Sequence, residues 1–160
     1  MKALKDVQVS ARETRKRTLV VRLGPGAGVA SGIREVCEKY SVRSGAITTF
    51  LGSLSQVAFT WPVPCPEARA GLKYREPLVF PGPIEVLSGA GTIGVMAGSG
   101  EFALHLHAAF TDAEGRVWGG HLLDEGNVVA VTLELTLEAF EDACLTRATD
   151  EETGMMLFTL

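Results

Sequence analysis

Cysteine is scarce in this chain of 160 residues, and its spacing argues against two kinds of protein. The three cysteines are Cys37, Cys65 and Cys144, and no two of them form a CxxC pair. An odd number of widely spaced cysteines argues against a disulfide framework and against a zinc site built from cysteine alone. Because Cys37 falls on an apolar helical face, we expect it in the core.

A long apolar run is also missing, although the chain as a whole is apolar. Hydrophobic residues make up 46% of the sequence, yet no run approaches the ~20 residues that a transmembrane helix needs. The N-terminus lacks the apolar segment of a signal peptide. We therefore expect a cytoplasmic protein without a membrane partner, and we expect its excess apolar surface to lie at subunit interfaces.

An excess of positive charge is lacking as well. The formal net charge of −4 gives no general attraction to nucleic acid or to an anionic membrane. Basic residues concentrate only near the N-terminus, in a polar leader over residues 1–16 and directly after it: Lys2, Lys5, Arg12, Arg15, Lys16 and Arg17. This segment is either a solvated leader or a contact for an anionic partner.

Two familiar signatures of catalysis and nucleotide binding are absent. The glycine-rich residues 24–28 follow a strand and precede a helix, but they lack both the Lys-Ser/Thr ending of a P-loop and the GxGxxG spacing. No GxSxG elbow is present, which leaves a serine hydrolase with little support. The glycine-rich stretch is therefore interpreted as a simple turn.

The length fits a single domain, which we place at residues 17–145, and hydrophobic periodicity predicts one main amphipathic helix among several strands. The helix carries Val29, Ile33, Val36, Cys37 and Tyr40 on one face. Strands are predicted at 18–23, on both sides of Gly52 within 44–61, and over 78–93 with a break at 81–83. Residues 94–100 are predicted as a turn. Residues 62–77 are predicted as an exposed loop that could flank a pocket.

The end of the chain is predicted as a last strand and a tail. The strand places Val131, Leu133, Leu135 and Leu137 on its core face. Residues 146–160 contain a polar turn and then an apolar segment. We expect this tail to pack on the sheet or on a neighbouring subunit.

Three polar side chains upstream are candidates for contact with a ligand. Ser53 and Ser55 share one face of an extended segment, where they would bind a ligand or satisfy backbone groups in a bulge. Glu85 stands among apolar neighbours. It either faces solvent at the start of a strand or serves as an acid/base group in a pocket.

The three histidines of the chain cluster in one predicted hairpin. Strand alternation puts His105 and His107 on the same face, beside the small Ala103 and Ala109. Residues 111–115 form a turn, and an antiparallel return would bring His121 close to both. Gly119 and Gly120 before it remove side-chain bulk, which permits close approach of a ligand or of another backbone.

An HxH pair and a third histidine from the next strand are typical of a metal site. Neutral imidazole suits zinc, nickel, copper or ferrous iron. Three protein ligands leave one position open for water or substrate, as in catalytic rather than structural zinc sites. The alternative is three histidines hydrogen-bonded in a polar pocket or at an interface.

Four segments resemble successive motifs of the PPC domain, the plants and prokaryotes conserved domain. They are SGAITTFLGSLSQVAF, PIEVLSGAGTIG, HLHAAFTDAEGRVWGGHL and VVAVTLELTLEAF, within residues 18–140. The resemblance implies a compact α+β domain with a mostly antiparallel sheet, assembled as a homotrimer. It also implies zinc at His105, His107 and His121. The fold is similar to that of acetolactate decarboxylase, a zinc lyase, which by itself does not establish a reaction.

One trait of the plant members of that family is missing. The chain has no Arg-Gly-Arg-Pro AT-hook, the segment with which they enter the minor groove. The acidic balance also disfavours DNA binding.

The sequence therefore leaves three hypotheses. The first is a trimeric zinc-binding domain that binds or transforms a small molecule. As an enzyme it would be a zinc-dependent lyase or hydrolase, with Glu85 as acid/base and Ser53 and Ser55 orienting substrate. The second is a DNA-associated regulator without an AT-hook. The third is an interaction module without a ligand.

Overall fold

The computed structural model describes residues 9–160, which form a single domain of ten strands and one helix. The part of the predicted leader at residues 1–8 lies outside the described residues. In chain order the elements are β1 (Lys16–Leu23), α1 (Val29–Lys39), β2 (Gly45–Thr60), β3 (Pro62–Pro64), β4 (Leu72–Tyr74), β5 (Leu78–Met96), β6 (Phe102–Thr111), β7 (Val117–Leu122), β8 (Val128–Phe140), β9 (Thr146–Thr149) and β10 (Met156–Thr159).

The main sheet is strongly curved and mostly antiparallel, as predicted. Its strand order is β1-β8-β2-β7-β6-β5-β9-β10, and β2 pairs with β5 as well. The end of β2 also pairs with β7 through Phe59–Leu122 and Thr60–His121. These pairings therefore join four strands, β2, β5, β6 and β7, into a closed ring. A separate two-stranded sheet, β3-β4, follows the end of β2.

The helix packs its apolar face onto this sheet. Val29, Ile33 and Cys37 are buried as predicted, at the 3.6-residue spacing of one helical face. Tyr40 is exposed, contrary to the prediction, because it is the C-cap residue and lies beyond the last helical turn. The helix thus contributes to the core only through its first two and a half turns.

Strand β8 follows the predicted alternation except at one residue. Leu133, Leu135 and Leu137 are buried, but Val131 is 66% exposed, so its assignment to the core was wrong. The β2–β8 register shifts between Gly52 and Leu54, directly beside Val131. A bulge of this kind bends the strand and interrupts regular coverage of one face.

Four other boundaries differ from the sequence-based prediction. Strand β2 continues through Gly52, which adopts φ +141°. Strand β5 continues through residues 81–83 and runs on to Met96, so 94–96 belong to a strand rather than a turn. The predicted loop at 62–77 contains the β3–β4 hairpin. Strands β2 and β5 continue through these predicted breaks because neighbouring strands complete their backbone hydrogen bonds.

The last residues form a hairpin on the edge of the main sheet. Strand β9 pairs in parallel with the end of β5, through Val95–Thr146 and Met96–Arg147, and β10 pairs with β9. The tail therefore packs on the sheet of its own chain. Between residues 9 and 160 no helix combines the length and the apolar character that crossing a membrane requires.

Candidate metal centre

The three histidines meet on one face of the β6–β7 pair. His105 and His107 are two residues apart on β6, and His107 lies directly opposite His121 on β7. The ring centroids are 4.6 Å apart for His105–His107, 4.9 Å for His105–His121 and 5.4 Å for His107–His121. One ring nitrogen from each histidine lies within 4.8 Å of the other two. The predicted cluster is therefore present in the fold.

The donor geometry fits a tetrahedral cation. The Nε2 atoms of His105 and His107 are 2.8 Å apart, and two nitrogen lone pairs at this distance need a proton or a cation between them. Zinc–nitrogen bonds of about 2.0–2.1 Å in a tetrahedron separate the nitrogens by about 3.3 Å. The 2.8 Å separation of His105 and His107 lies below this value, and the 4.8 Å limit for all three nitrogens lies above it. Nδ1 of His121 is buried and has no hydrogen-bond partner among the described residues.

Electrostatics keeps these imidazoles neutral, the form that binds a metal. Burial, and after it the charges of His107, His121 and Arg147, lower the pKa of His105 to about 4. Burial, and after it the charges of His107 and Arg147, lower the pKa of His121 to about 4. Burial also lowers the pKa of His107. Metal binding therefore needs little deprotonation at neutral pH.

The paired glycines before His121 serve close backbone packing. A Cβ atom on Gly120 would overlap the carbonyl oxygen of Thr60, and one on Gly119 would lie 2.9 Å from the carbonyl oxygen of Ala108. Of the two alternatives that the sequence left open, the structure shows another backbone beside these glycines. Their lack of side chains lets β7 pack against β2 and β6, and this packing sets the position of His121.

The β3–β4 hairpin contributes an aromatic side chain that sequence reasoning missed. The Tyr74 ring lies 5.6 Å from the His121 ring. The base of the hairpin is fixed because the buried Thr60 hydroxyl donates to the Arg75 carbonyl at 2.8 Å and the Arg75 guanidinium stacks over Trp61 at 4.4 Å. The only signal in the sequence was that residues 62–77 could flank a pocket.

Arg147, on the C-terminal hairpin, is the second residue that the sequence did not indicate. Its Nη1 donates to the Leu104 carbonyl at 2.7 Å, next to His105. Its guanidinium also lies over the Phe158 ring at 5.4 Å. Its charge lowers the pKa of both His105 and His121, which places a cation close to the cluster. A single basic residue in a tail carries no spacing signal.

The other predicted site residues lie apart from the histidines. Ser53 accepts a hydrogen bond from the Val131 amide, and Ser55 donates one to the Val128 carbonyl, so both bond to the backbone of β8. Glu85 pairs with Ser53 on one side and Thr111 on the other. Thr111 is four residues from His107, on the order of 13 Å along the strand. Their roles as ligand-binding and acid/base groups stay predictions.

Family membership follows from a match over most of the chain. The profile of the Plants and Prokaryotes Conserved (PCC) domain matches residues 10–141. This chain belongs to the PCC domain family. The family assignment made from the four sequence motifs is therefore confirmed, and the matched range contains β1 to β8 with all three histidines.

The relatives of this PCC domain share its fold over nearly their whole length. A hypothetical protein from Salmonella cholerae-suis is 26% identical, with a TM-score of 0.75 over 92% of this chain and 95% of its own. A metal-containing protein from Archaeoglobus fulgidus is 21% identical, with a TM-score of 0.76 over 96% of this chain and 100% of its own. A Ralstonia eutropha protein for which DNA binding has been suggested is 20% identical, with a TM-score of 0.72 over 88% and 90%.

One curated relative is much longer. The bifunctional protein GlmU of a Synechococcus strain is 26% identical over 140 residues, which are 88% of this chain. The present chain spans about a fifth of that protein's length, 20%. The similarity therefore concerns one part of the longer protein.

Proposed function

We propose that this PCC domain binds a divalent transition metal, zinc, through His105, His107 and His121. The observation that carries the proposal is the convergence of three neutral imidazoles whose nitrogens lie within 4.8 Å of one another. The metal-containing relative from Archaeoglobus fulgidus, with the same fold, supports it. Three nitrogen ligands leave a position for a small molecule.

A metal held in this way would polarise a carbonyl group or activate a bound water. Such chemistry belongs to lyases and hydrolases, the classes we propose if the centre is catalytic. The described residues beside the cluster supply two further groups. Tyr74 offers a hydroxyl near His121, and Arg147 offers a positive charge near His105 and His121.

Metal analysis of protein purified without a histidine tag tests the proposal. We expect about one equivalent of zinc per chain, and less than about a tenth of an equivalent in the double variant His105→Asn/His107→Asn. Glu85→Gln is the matched control, because this residue lies away from the cluster, and it should keep its metal. A folded wild-type protein without any transition metal would refute the proposal.

We also propose a homotrimer as the working assembly. Large apolar side chains are exposed on the single chain, among them Val20 at 90%, Val117 at 68% and Val131 at 66%. Exposed apolar surface of this kind is commonly covered by other subunits. Light scattering should give a mass of about three times the 17.0 kDa of the chain, and a monomeric mass would contradict this assembly.

A second candidate, DNA binding without an AT-hook, has one specific observation in its favour. A cleft at the start of β1 gathers Arg12, Arg15, Arg17 and Arg43. Acidic groups partly offset this charge, since Arg15 is paired with Asp142 at 2.8 Å. A salt titration of duplex DNA binding, starting at about 50 mM salt, tests this candidate, because electrostatic binding is strongest at low salt. No binding at that salt concentration would rule it out.

A further inference from the structure

The register of four strands places Arg147 on the same face of the sheet as the histidines. Residues directly opposite each other on paired strands share a face, and residues alternate along each strand. Arg147 lies opposite Met96. Two and four residues before Met96 on β5 come Gly94 and Thr92, and Thr92 lies opposite His105.

The β5 and β6 residues between Arg147 and the cluster are small. Gly94 and its partner Ala103 lie between Met96 and the Thr92–His105 pair on this face. The Phe158 ring fills the space that a Cβ atom on Gly94 would take, with its Cε1 atom 2.6 Å from that position, so the guanidinium extends toward the imidazoles over this ring. The bond from Nη1 to the Leu104 carbonyl, at 2.7 Å, shows that the side chain extends along this path to the residue before His105.

One edge of the guanidinium is left without a partner. Nη1 is used on Leu104, whereas Nε is buried and has no hydrogen-bond partner among the described residues. A buried N–H without an acceptor costs free energy, so such a group calls for a ligand or a water. Nε and Nη2 together form one edge of a guanidinium. Elsewhere in this chain, Arg15 binds a carboxylate with this edge, because its Nε and Nη2 donate to the two carboxylate oxygens of Asp142.

We propose that Arg147 is the anion-recognition residue of the histidine centre, and that the ligand class is a small carboxylate. This inference rests on the proposed metal site. The side-on edge of a guanidinium matches the two oxygens of a planar carboxylate, and the phenyl ring of Phe158 beneath it holds the guanidinium in place. The metal and the guanidinium of Arg147 are both positively charged, so together they would attract the carboxylate of a substrate to the open position on the metal. Arg147 thus acts on binding and orientation.

Cobalt-substituted protein and sodium acetate test the inference. Cobalt(II) reports ligand binding at the metal through its visible absorption bands, so no enzymatic activity is needed. We expect acetate to change the spectrum of the wild-type protein, with an affinity reduced at least about tenfold in Arg147→Gln and less in Arg147→Lys. Acetamide, which is neutral, should bind weakly and to the same extent in wild type and Arg147→Gln.

Two controls separate recognition from packing. Phe158→Leu removes the ring that holds the guanidinium in place but keeps the charge, so acetate should bind this variant more weakly than the wild type and more tightly than Arg147→Gln. If Arg147→Gln does not fold, the preference of the wild-type protein for acetate over acetamide remains as the test. Failure of the wild-type protein to take up cobalt overturns both the metal site and this inference. Uptake without a preference for acetate, or with equal acetate affinity in Arg147→Gln, overturns this inference alone.

Discussion

His107 and His121 lie directly opposite each other across the β6–β7 pair, with ring centroids 5.4 Å apart. Directly opposed residues on neighbouring strands point to the same side of a sheet. The two-residue spacing of His105 and His107 then brings all three rings together. The position of the histidine cluster is thus fixed by the register of one strand pair.

Replacement of His121 by Asn should abolish tight metal binding while the protein stays folded. The side chain is only partly buried, but it is one of the three proposed ligands, and two histidines alone hold zinc poorly. We expect a loss of at least about 100-fold in zinc affinity, measured by competition with a chromophoric chelator. Ser55→Ala, which changes a residue bonded to β8, is the control and should bind zinc like the wild type. Equal affinity in His121→Asn would show that the third ligand lies elsewhere.

Replacement of Gly120 by Ala should destabilise the fold next to the centre. The added methyl group would overlap the Thr60 carbonyl, part of the backbone to which β7 is paired. We expect the free energy of unfolding to fall by about 2–3 kcal/mol in urea denaturation, and zinc affinity to weaken because His121 shifts.

Gly24→Ala is a matched control for that variant. Gly24 has no atom within 4 Å of an added Cβ, and its φ lies outside the left-handed region. Its substitution should leave both stability and zinc affinity close to wild type. If the two alanine variants behave alike, close packing between β7 and β2 is not what the glycine provides.

Removal of the Asn127 side chain should cost more stability than its size suggests. This buried amide accepts from the Ala58 amide at 2.9 Å and donates to the carbonyls of Ala58 and Leu123 at 3.2 and 2.7 Å. Asn127→Ala leaves these backbone groups without partners, and we expect a loss of about 3 kcal/mol in the free energy of unfolding. Gln56→Ala, which removes one half-buried bond to Gly126, should cost less than about 1 kcal/mol. A smaller loss for Asn127→Ala than for Gln56→Ala would contradict this assignment.

Acid should destabilise the metal-free protein through its histidines. The pKa of His105 and of His121 is about 4 in the folded chain, against 6.5 for an ordinary histidine. Between these two pH values the histidines bind more protons in the unfolded chain than in the folded chain. The free energy of unfolding therefore falls as the pH drops from about 6.5 to 4. Urea denaturation of chelator-treated protein across this range measures the effect.

The variant His105→Asn/His121→Asn isolates the histidine contribution from that of the carboxylates, which titrate in part of the same range. It should lose less stability than the wild type between pH 6.5 and 4, and the two proteins should behave alike above pH 7. Parallel curves for the two proteins would show that burial does not hold these imidazoles neutral.

The sequence alone was sufficient for the parts of the centre that depend on neighbours along the chain. Strand alternation put His105 and His107 on one face, and a short turn brought His121 back beside them. The amphipathic helix and the buried leucines of β8 followed from the same periodicities. These properties are local, because the side-chain direction in a strand or helix repeats with a fixed period.

Only the tertiary structure decided what surrounds the histidines. Closure of β2, β5, β6 and β7 placed Thr60 against His121 and carried the β3–β4 hairpin with Tyr74 to the same place. The parallel docking of β9 on β5 brought Arg147 onto the histidine face. The bulge beside Gly52 left Val131 exposed although its spacing matched the core. Register shifts, sheet curvature and strand order arise from contacts between distant segments, which hydrophobic periodicity does not encode.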